Sequence, residues 1–373
     1  MKKRARSRRK LQMFSALPAY LGGKRKLAST IFRELDRVVP RRFWHRLTFL
    51  DSFMGGASIA LFAKAQGFRR VIGTDLALRS VTVGQALVAN SRVRLTKEDV
   101  LGILEPRSTE PGPVEREFVP SVFCATVART IDRALDLARA STGEAKAALF
   151  RLLGIRVALL AHPYSQIRSG TAHRLATGEL ENITPKAARH YVDSWRLATV
   201  PVLWKLAQEV NQGVFEGNGE VRQVDVLQEL PSIVADVMYA DPPYAGQNVM
   251  SYERQYAVLD RILEGVSRPT SPFTARGGSD EIDGLLARAV HIPVWILSFG
   301  NVDCNLSELE EKMRRLGRET RAQEIRYQHL PAVATQQKRE TNRELLVAGW
   351  DPCAPLFHDL HLDVASSLEE TLP

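Results

Sequence analysis

An apolar run, Ile233 to Ala240, ends abruptly in Asp241-Pro242-Pro243-Tyr244. The run is β-prone, and two prolines cannot continue a ladder, so it predicts a buried strand stopped at its carboxyl end. In open α/β sheets that edge is where ligands sit. The prolines stiffen the backbone, fixing the direction of the Asp241 carboxylate and the Pro242 carbonyl, with the Tyr244 ring nearby. Two acceptors and an aromatic face could grip a planar group that bears an amine.

Further acids and glycines fall at comparable places. Leu47 to Leu50 is a short apolar run that ends at Asp51, and Ser52-Phe53-Met54-Gly55-Gly56-Ala57-Ser58 leads from it into a helical pattern, Ile59 to Gln66. Val71 to Thr74 runs into Asp75, about two dozen residues after Asp51, the interval at which a nucleotide-binding fold places an acid against ribose hydroxyls. Val221 to Val224 is followed by Asp225. Taken singly, Asp75 and Asp225 are as well read as acids that cap the next helix, and the Gly55-Gly56 loop as a tight turn. The G-x-G-x-x-G spacing is absent, which favours a nucleoside ligand over a pyrophosphate. Together they form a row of polar groups suited to ribose hydroxyls, an adenine amine and an α-amino group.

The elements that must carry these residues read as α/β. Helical spacing covers Leu27–Val38, preceded by a Gly22-Gly23 turn and the basic run Lys24-Arg25-Lys26. Leu78–Asn90 predicts a further helix. From about Arg92 to Phe215 the alternation lapses into a loop (Glu105–Pro120), helices at Ala125–Ala140, Glu144–Leu160 and Pro185–Val210, and a polar segment, residues 163–174. Between Arg151 and Arg196 seven Arg or Lys face three Asp or Glu, with Tyr164, Tyr191 and Trp195 interleaved. The rhythm returns after Phe215: helices are expected at Tyr252–Leu263, Asp280–Val290 and Leu306–Leu316, a mobile loop at Ser267–Ser279, and a strand at Pro293–Phe299. The segments Glu324–Leu330 and Glu344–Trp350 could pair as a hairpin.

Composition narrows the class. A chain of 373 residues with 45% hydrophobic content suits a globular protein of two domains, or one domain with an insertion. The net charge is +9, yet the first ten residues hold seven basic residues and no acid, leaving about +2 for the rest. That arm reads as disordered and as a candidate for phosphate contact. No apolar run reaches the roughly 18 residues of a membrane span and no signal-peptide core is visible, so a cytoplasmic location is expected. Cys124, Cys304 and Cys353 lack pairing or C-x-x-C spacing, and the eight histidines show no ligand spacing, so no metal is expected.

In order and spacing these segments resemble the S-adenosylmethionine-dependent DNA adenine-N6 methyltransferases of the Dam-like class. The resemblance rests on Tyr20-Leu21-Gly22-Gly23-Lys24, Asp51 to Gly56, Asp75, Val224-Asp225-Val226, Asp241-Pro242-Pro243-Tyr244 and Asn342-Arg343-Glu344-Leu345-Leu346-Val347. Asp241-Pro242-Pro243-Tyr244 is the specific motif; the others persuade through their order. Tyr20 stands where the family often has Trp, and Asp51 where its acid is commonly Glu.

The resemblance implies a Rossmann-like methyltransferase sheet with an inserted, mostly helical target-recognition domain. Residues 14–91 and 216–350 would form the catalytic domain, 92–215 the insertion, 1–13 a basic arm and 351–373 a tail. It implies that S-adenosylmethionine is surrounded by Tyr20, Gly22, Gly23, Lys24, Asp51, Phe53, Gly55, Asp75, Asp225 and Asp241. It implies further that Asp241, Pro242, Pro243, Tyr244 and Lys24 act on an adenine flipped out of double-stranded DNA. Ser165, Arg168, Ser169, Thr171 and Arg174 are the candidates for DNA contact, and a cognate restriction endonuclease is a candidate partner. Two rival readings are an RNA adenine-N6 methyltransferase and a nucleic-acid-binding protein that keeps the fold without turnover. Related cytosine-N4 and protein-glutamine enzymes mostly carry Asn or Ser where this chain has Asp241.

Overall fold

The computed structural model describes residues 12–20, 22–105, 110–162, 167, 174, 177–179, 183–243, 252–266, 271–274, 280–301, 304–326 and 343–358. In chain order the strands are β1 (Thr48–Asp51), β2 (Arg70–Asp75), β3 (Gly219–Gln223), β4 (Val237–Ala240), β5 (Val294–Gly300), β6 (Glu319–Arg326) and β7 (Arg343–Trp350). The principal helices are α1 (Ala28–Val38), α2 (Ser58–Gln66), α3 (Leu78–Gly84), α4 (Lys97–Leu104), α5 (Pro113–Phe118), α6 (Ala125–Ala140), α7 (Glu144–Leu160), α8 (Pro185–Asp193), α9 (Val200–Asn211), α10 (Val226–Glu229), α11 (Tyr252–Glu264), α12 (Glu281–Arg288) and α13 (Leu306–Arg314).

The strands form one seven-stranded sheet in the order β3-β2-β1-β4-β5-β7-β6. Neighbours from β3 to β5 are parallel, and β7 runs antiparallel to both β5 and β6. This is a Rossmann-like α/β sheet. Its winding reverses between β1 and β4, so the carboxyl ends of those two strands open a crevice at the switch point. Asp51 lies opposite Tyr239 there, and Ser52 N–H and Oγ–H both donate to the Tyr239 carbonyl, at 3.0 and 2.9 Å.

Strand alternation sorts the core into two clusters. Phe49, Val71, Val237, Tyr239, Ile296 and Leu346 pack with α1, α2 and the helices of residues 97–211. Leu50, Ile72, Met238, Trp295, Leu297 and Leu345 pack with α12 and α13 on the opposite face. The stretch that interrupts the strand-helix rhythm therefore shares a continuous core with one face of the sheet. Its α6 and α7 match the expected spans. Among the described residues no helix is long and apolar enough to cross a membrane.

Several expected boundaries move, each for a local reason. The strand expected over Ile233–Ala240 begins only at Val237, because Leu230–Ser232 forms a 3-10 turn and Val234 is 82% exposed, so that part of the apolar run lies outside the sheet. The Leu78–Asn90 helix becomes α3 followed by a π-helical turn, Gln85–Ala89. The buried Lys64 ammonium donates to carbonyls in the middle of that turn and just after it, those of Leu87 (3.0 Å) and Asn90 (2.7 Å).

The Pro185–Val210 helix is broken at Thr199, whose backbone is extended, and α9 restarts with Pro201 in its first turn. Within the expected loop Glu105–Pro120 lies α5, started by Pro113, while α4 is set by a Thr96–Asp99 capping box. Strands β6 and β7 pair as expected, with β6 displaced to Glu319–Arg326. Part of the expected mobile loop, Pro272–Thr274, is a 3-10 turn; residues 267–270 and 275–279 lie outside the described residues.

Candidate active site

A cavity of about 350 Å³ lies at the switch point. Its walls include Tyr20, Gly22, Gly23, Lys24, Asp51, Phe53, Gly55, Asp75, Asp225, Asp241, Pro242 and Pro243. The structure thus brings together residues spread over some 220 positions of sequence, because β1, β2, β3 and β4 all end at the same rim. Tyr244 lies outside the described residues.

The glycine loop forms the floor. Gly55 has φ +49°, and Ala57 also sits in the left-handed region. A Cβ on Gly56 would lie 2.8 Å from Tyr20 Cβ, and one on Gly55 would lie 3.0 Å from Tyr20 Cε1. The two glycines let the Tyr20 ring lie directly on the loop. That ring stacks at 5.0 Å on Tyr256 of α11, and its hydroxyl is 3.4 Å from Ser80 Oγ. Behind it the Arg79 guanidinium lies 4.7 Å from the Tyr256 ring centre and pairs at 2.5 Å with the fully buried Asp260.

The strand-end acids have distinct environments. Asp75 accepts from Gly55 N–H (2.8 Å) and Ala77 N–H (2.9 Å), so it holds the glycine loop in place. Burial raises its pKa, opposed by those bonds and by Arg79. Asp225 caps α10 by accepting from Leu227 N–H at 3.0 Å, the capping role its sequence position allows, while still facing the cavity.

Asp51 is 1% exposed, and its Oδ2 accepts from Ala60 N–H at 2.9 Å. Its Oδ1 is buried with no hydrogen-bond partner among the described residues. Burial, with Asp241 and Asp75 nearby, pushes its pKa to about 8. A buried acid with an orphaned oxygen on a cavity wall fits a cationic ligand group.

At the other end of the cavity a buried lysine joins two carboxylates. Lys24 Nζ lies 2.8 Å from Asp241 Oδ1 and 3.1 Å from Glu344 Oε1, and donates to the Gly22 carbonyl at 3.2 Å. Burial raises the Asp241 pKa; Lys24 lowers it and Glu344 raises it again, leaving it at about 7. Among the described residues no group of three or more His, Cys, Asp or Glu could hold a metal ion.

Sequence reasoning missed part of this site. Phe273 is buried on the cavity wall and meets Phe53 edge to face at 5.2 Å. Its only signal was an aromatic inside an apparent loop. Arg79 was missed although it sits four residues after Asp75, and Glu344 although it is an acid inside an apolar strand pattern. Of the candidates for DNA contact, Ser165, Arg168, Ser169 and Thr171 lie outside the described residues, and Arg174 is described as half-buried, away from the cavity walls.

Comparison with known proteins bears on what this geometry does. Residues 20–119 match the family described as D12 class N6 adenine-specific DNA methyltransferase. The chain is 27% identical over 339 residues to the Type II methyltransferase M2.HphI of Haemophilus parahaemolyticus, covering 88% of this chain and 95% of that protein. Among solved structures, the rRNA methyltransferase AviRa of Streptomyces viridochromogenes is similar at a TM-score of 0.30 and 12% identity, over 89% of this chain and 88% of that one, too distant a likeness to bear on function.

Proposed function

We propose that this chain, an adenine-specific DNA methyltransferase, takes its methyl group from S-adenosylmethionine in the switch-point cavity and delivers it to N6 of an adenine held at Asp241-Pro242-Pro243-Tyr244. The observation that carries this reading is the continuity of one cavity from the orphaned Asp51 carboxyl and the glycine loop to Asp241 and Pro242.

The residues present suit the donor. When bound, S-adenosylmethionine supplies a methyl group already activated on a positively charged sulfur. Asp51 offers an unpaired acid to the donor's positive charge. Gly55 and Gly56 allow close approach, while Asp75 and Asp225 offer acceptors to hydroxyl and amino groups. Tyr20, Phe53 and Phe273 wall the cavity with aromatic surface. Gly22, Gly23 and Lys24 close the end nearest Asp241.

The chemistry asked of the protein is nucleophilic activation and alignment. The lone pair of the adenine amine is delocalised into the ring, which makes it a weak nucleophile. Hydrogen bonds from its two N–H groups to the Asp241 carboxylate and the Pro242 carbonyl favour a pyramidal nitrogen, and Tyr244 stacks on the base. Once methylated, the nitrogen must lose a proton, and a carboxylate with a pKa of about 7 is matched to take it near neutral pH.

A base in a duplex cannot reach such a site unless it is flipped out, at a cost of a few kcal/mol. We assign phosphate contacts that offset this cost to the segment holding Ser165, Arg168, Ser169, Thr171 and Arg174 and to the basic amino-terminal arm. Similarity to a Type II methyltransferase makes a cognate restriction endonuclease the candidate partner, with both acting on DNA in the cytoplasm.

The test is transfer of labelled methyl from S-adenosylmethionine to duplex DNA, RNA and protein offered in parallel. Label is expected in duplex DNA. Label confined to RNA or protein, or donor binding without any transfer, contradicts the proposal.

A further inference from the structure

Glu344 is an acid in the interior of a sheet. It is 0% exposed, on β7 opposite Gly300 of β5 and Ile325 of β6, in a strand whose next residues, Leu345 to Val347, are all buried and apolar. A carboxylate is retained in such a place only with compensating partners. Ser298 Oγ–H of β5 donates to Glu344 Oε1, and the same oxygen lies 3.1 Å from Lys24 Nζ. Lys24, itself 2% exposed, reaches Asp241 Oδ1 at 2.8 Å. A chain of polar contacts therefore runs Ser298, Glu344, Lys24, Asp241, from the carboxyl end of β5 and the start of β7 to the adenine end of the cavity.

We propose that Glu344 is a positioning residue for methyl transfer: it fixes the Lys24 ammonium between two carboxylates, so that Lys24 holds Asp241 in the orientation that receives the adenine amine. This rests on the methyltransferase reading above and extends it to a residue that is not on the cavity wall.

The geometry explains what each partner does. A lysine on a loop before α1 has four rotatable bonds, and the Gly22 carbonyl alone does not fix its head. Two carboxylates on adjacent sides do. Two acids around one ammonium also leave the cluster short of one positive charge, so Glu344 keeps Asp241 more basic than Lys24 alone would. The other titratable groups near Asp241 are Tyr239 on the same strand and Asp51 at the end of β1, while β5 contributes the Ser298 hydroxyl.

The test is Glu344→Gln in the full chain, read by single-turnover methyl transfer against pH and by donor affinity. The plateau rate at alkaline pH is expected to fall at least tenfold with donor affinity within twofold of wild type. The acidic limb is expected to move to lower pH by roughly one unit, because a like charge beside Asp241 has gone. A purely structural role lowers stability and rate without moving the limb.

An unchanged limb, or a loss of donor affinity equal to the loss of rate, overturns the inference. If Glu344→Gln fails to fold, Ser298→Ala decides. It removes the hydroxyl that holds Glu344 and should cost at least threefold in rate at unchanged donor affinity; a wild-type rate overturns the inference. Wild-type protein that methylates no DNA would sink the methyltransferase reading itself, an outcome distinct from these.

Discussion

Replacing Asp51 by Asn should make the protein more stable and unable to hold its methyl donor. The carboxyl is 1% exposed, keeps one oxygen without a partner among the described residues, and has its pKa pushed from 3.8 to about 8 by burial first and by Asp241 and Asp75 after it. Between those two values the folded protein binds a proton that the unfolded chain does not. This group's contribution to stability is therefore greatest below pH 4 and is lost as pH rises towards 8.

At pH 7, keeping a proton on Asp51 spans about three pH units, at about 1.4 kcal/mol each, or about 4 kcal/mol. The Asn amide must itself be desolvated in the same buried place, so about half of that, roughly 2 kcal/mol, is what the neutral isostere recovers. Asn can still accept from Ala60 N–H, so that bond survives. A gain of about 2 kcal/mol raises Tm by roughly 3 °C in a chain of 373 residues.

Calorimetric melts of wild type and Asp51→Asn at pH 5, 7 and 8.5 provide the assay. Wild type should melt lower as pH rises while the variant changes less, with the variant above wild type at pH 7. Titration with S-adenosylmethionine should show proton release from wild type near pH 7, as the bound cation draws Asp51 into its ionised form, and no binding by the variant. A variant that melts below wild type at pH 7, or that binds the donor normally, refutes the reasoning.

Other perturbations follow from the same geometry. Gly56→Ala drives a Cβ to 2.8 Å from Tyr20 Cβ and should weaken donor affinity at least tenfold by equilibrium binding, with the fold kept by circular dichroism. Asp260→Ala strands the buried Arg79 and frees the Tyr256 face that backs Tyr20. It should cost about 3 to 5 kcal/mol in denaturant unfolding, against about 1 kcal/mol for Asp225→Ala, which removes a helix cap. The single-turnover rate of wild type should rise with pH through about 7, where Asp241 loses its proton, and level off above it. A rate independent of pH between 5.5 and 8.5 removes Asp241 as proton acceptor.

Much of this architecture was legible because strand ends carry strong local signals. A β-prone run that stops at an acid and two prolines, or at an acid and two glycines, marks a carboxyl edge whatever the tertiary context. Asp51 and Asp241 stand at two such stops, while Asp75 and Asp225 follow short apolar runs and join the row only through their order in the chain. Helix α6 was legible because its apolar spacing is sustained over several turns, and α7 because a nearly continuous apolar run of that length is too long for a strand.

What escaped was set by tertiary contacts. Periodicity treats Ile233 and Val234 as one strand with Val237, whereas a 3-10 turn at Pro231 leaves Val234 in solvent. Phe273 looked like a loop residue because nothing local records that Phe53 waits 5.2 Å away. Glu344 stood within the closing motif Asn342 to Val347 with no role assigned to it, since only the fold carries Lys24, some 320 residues earlier in the chain, to within 3.1 Å of it.

The central claim, that the end of β4 is where the methyl donor meets adenine, is tested most directly by the modified nucleoside itself. Duplex DNA treated with wild type or with Asp241→Ala and S-adenosylmethionine is digested to nucleosides and analysed by mass spectrometry, with donor affinity measured on both proteins. The account predicts N6-methyladenine from wild type alone, with the variant still binding donor. Methyl on any other base, or N6-methyladenine formed as readily by Asp241→Ala, contradicts it.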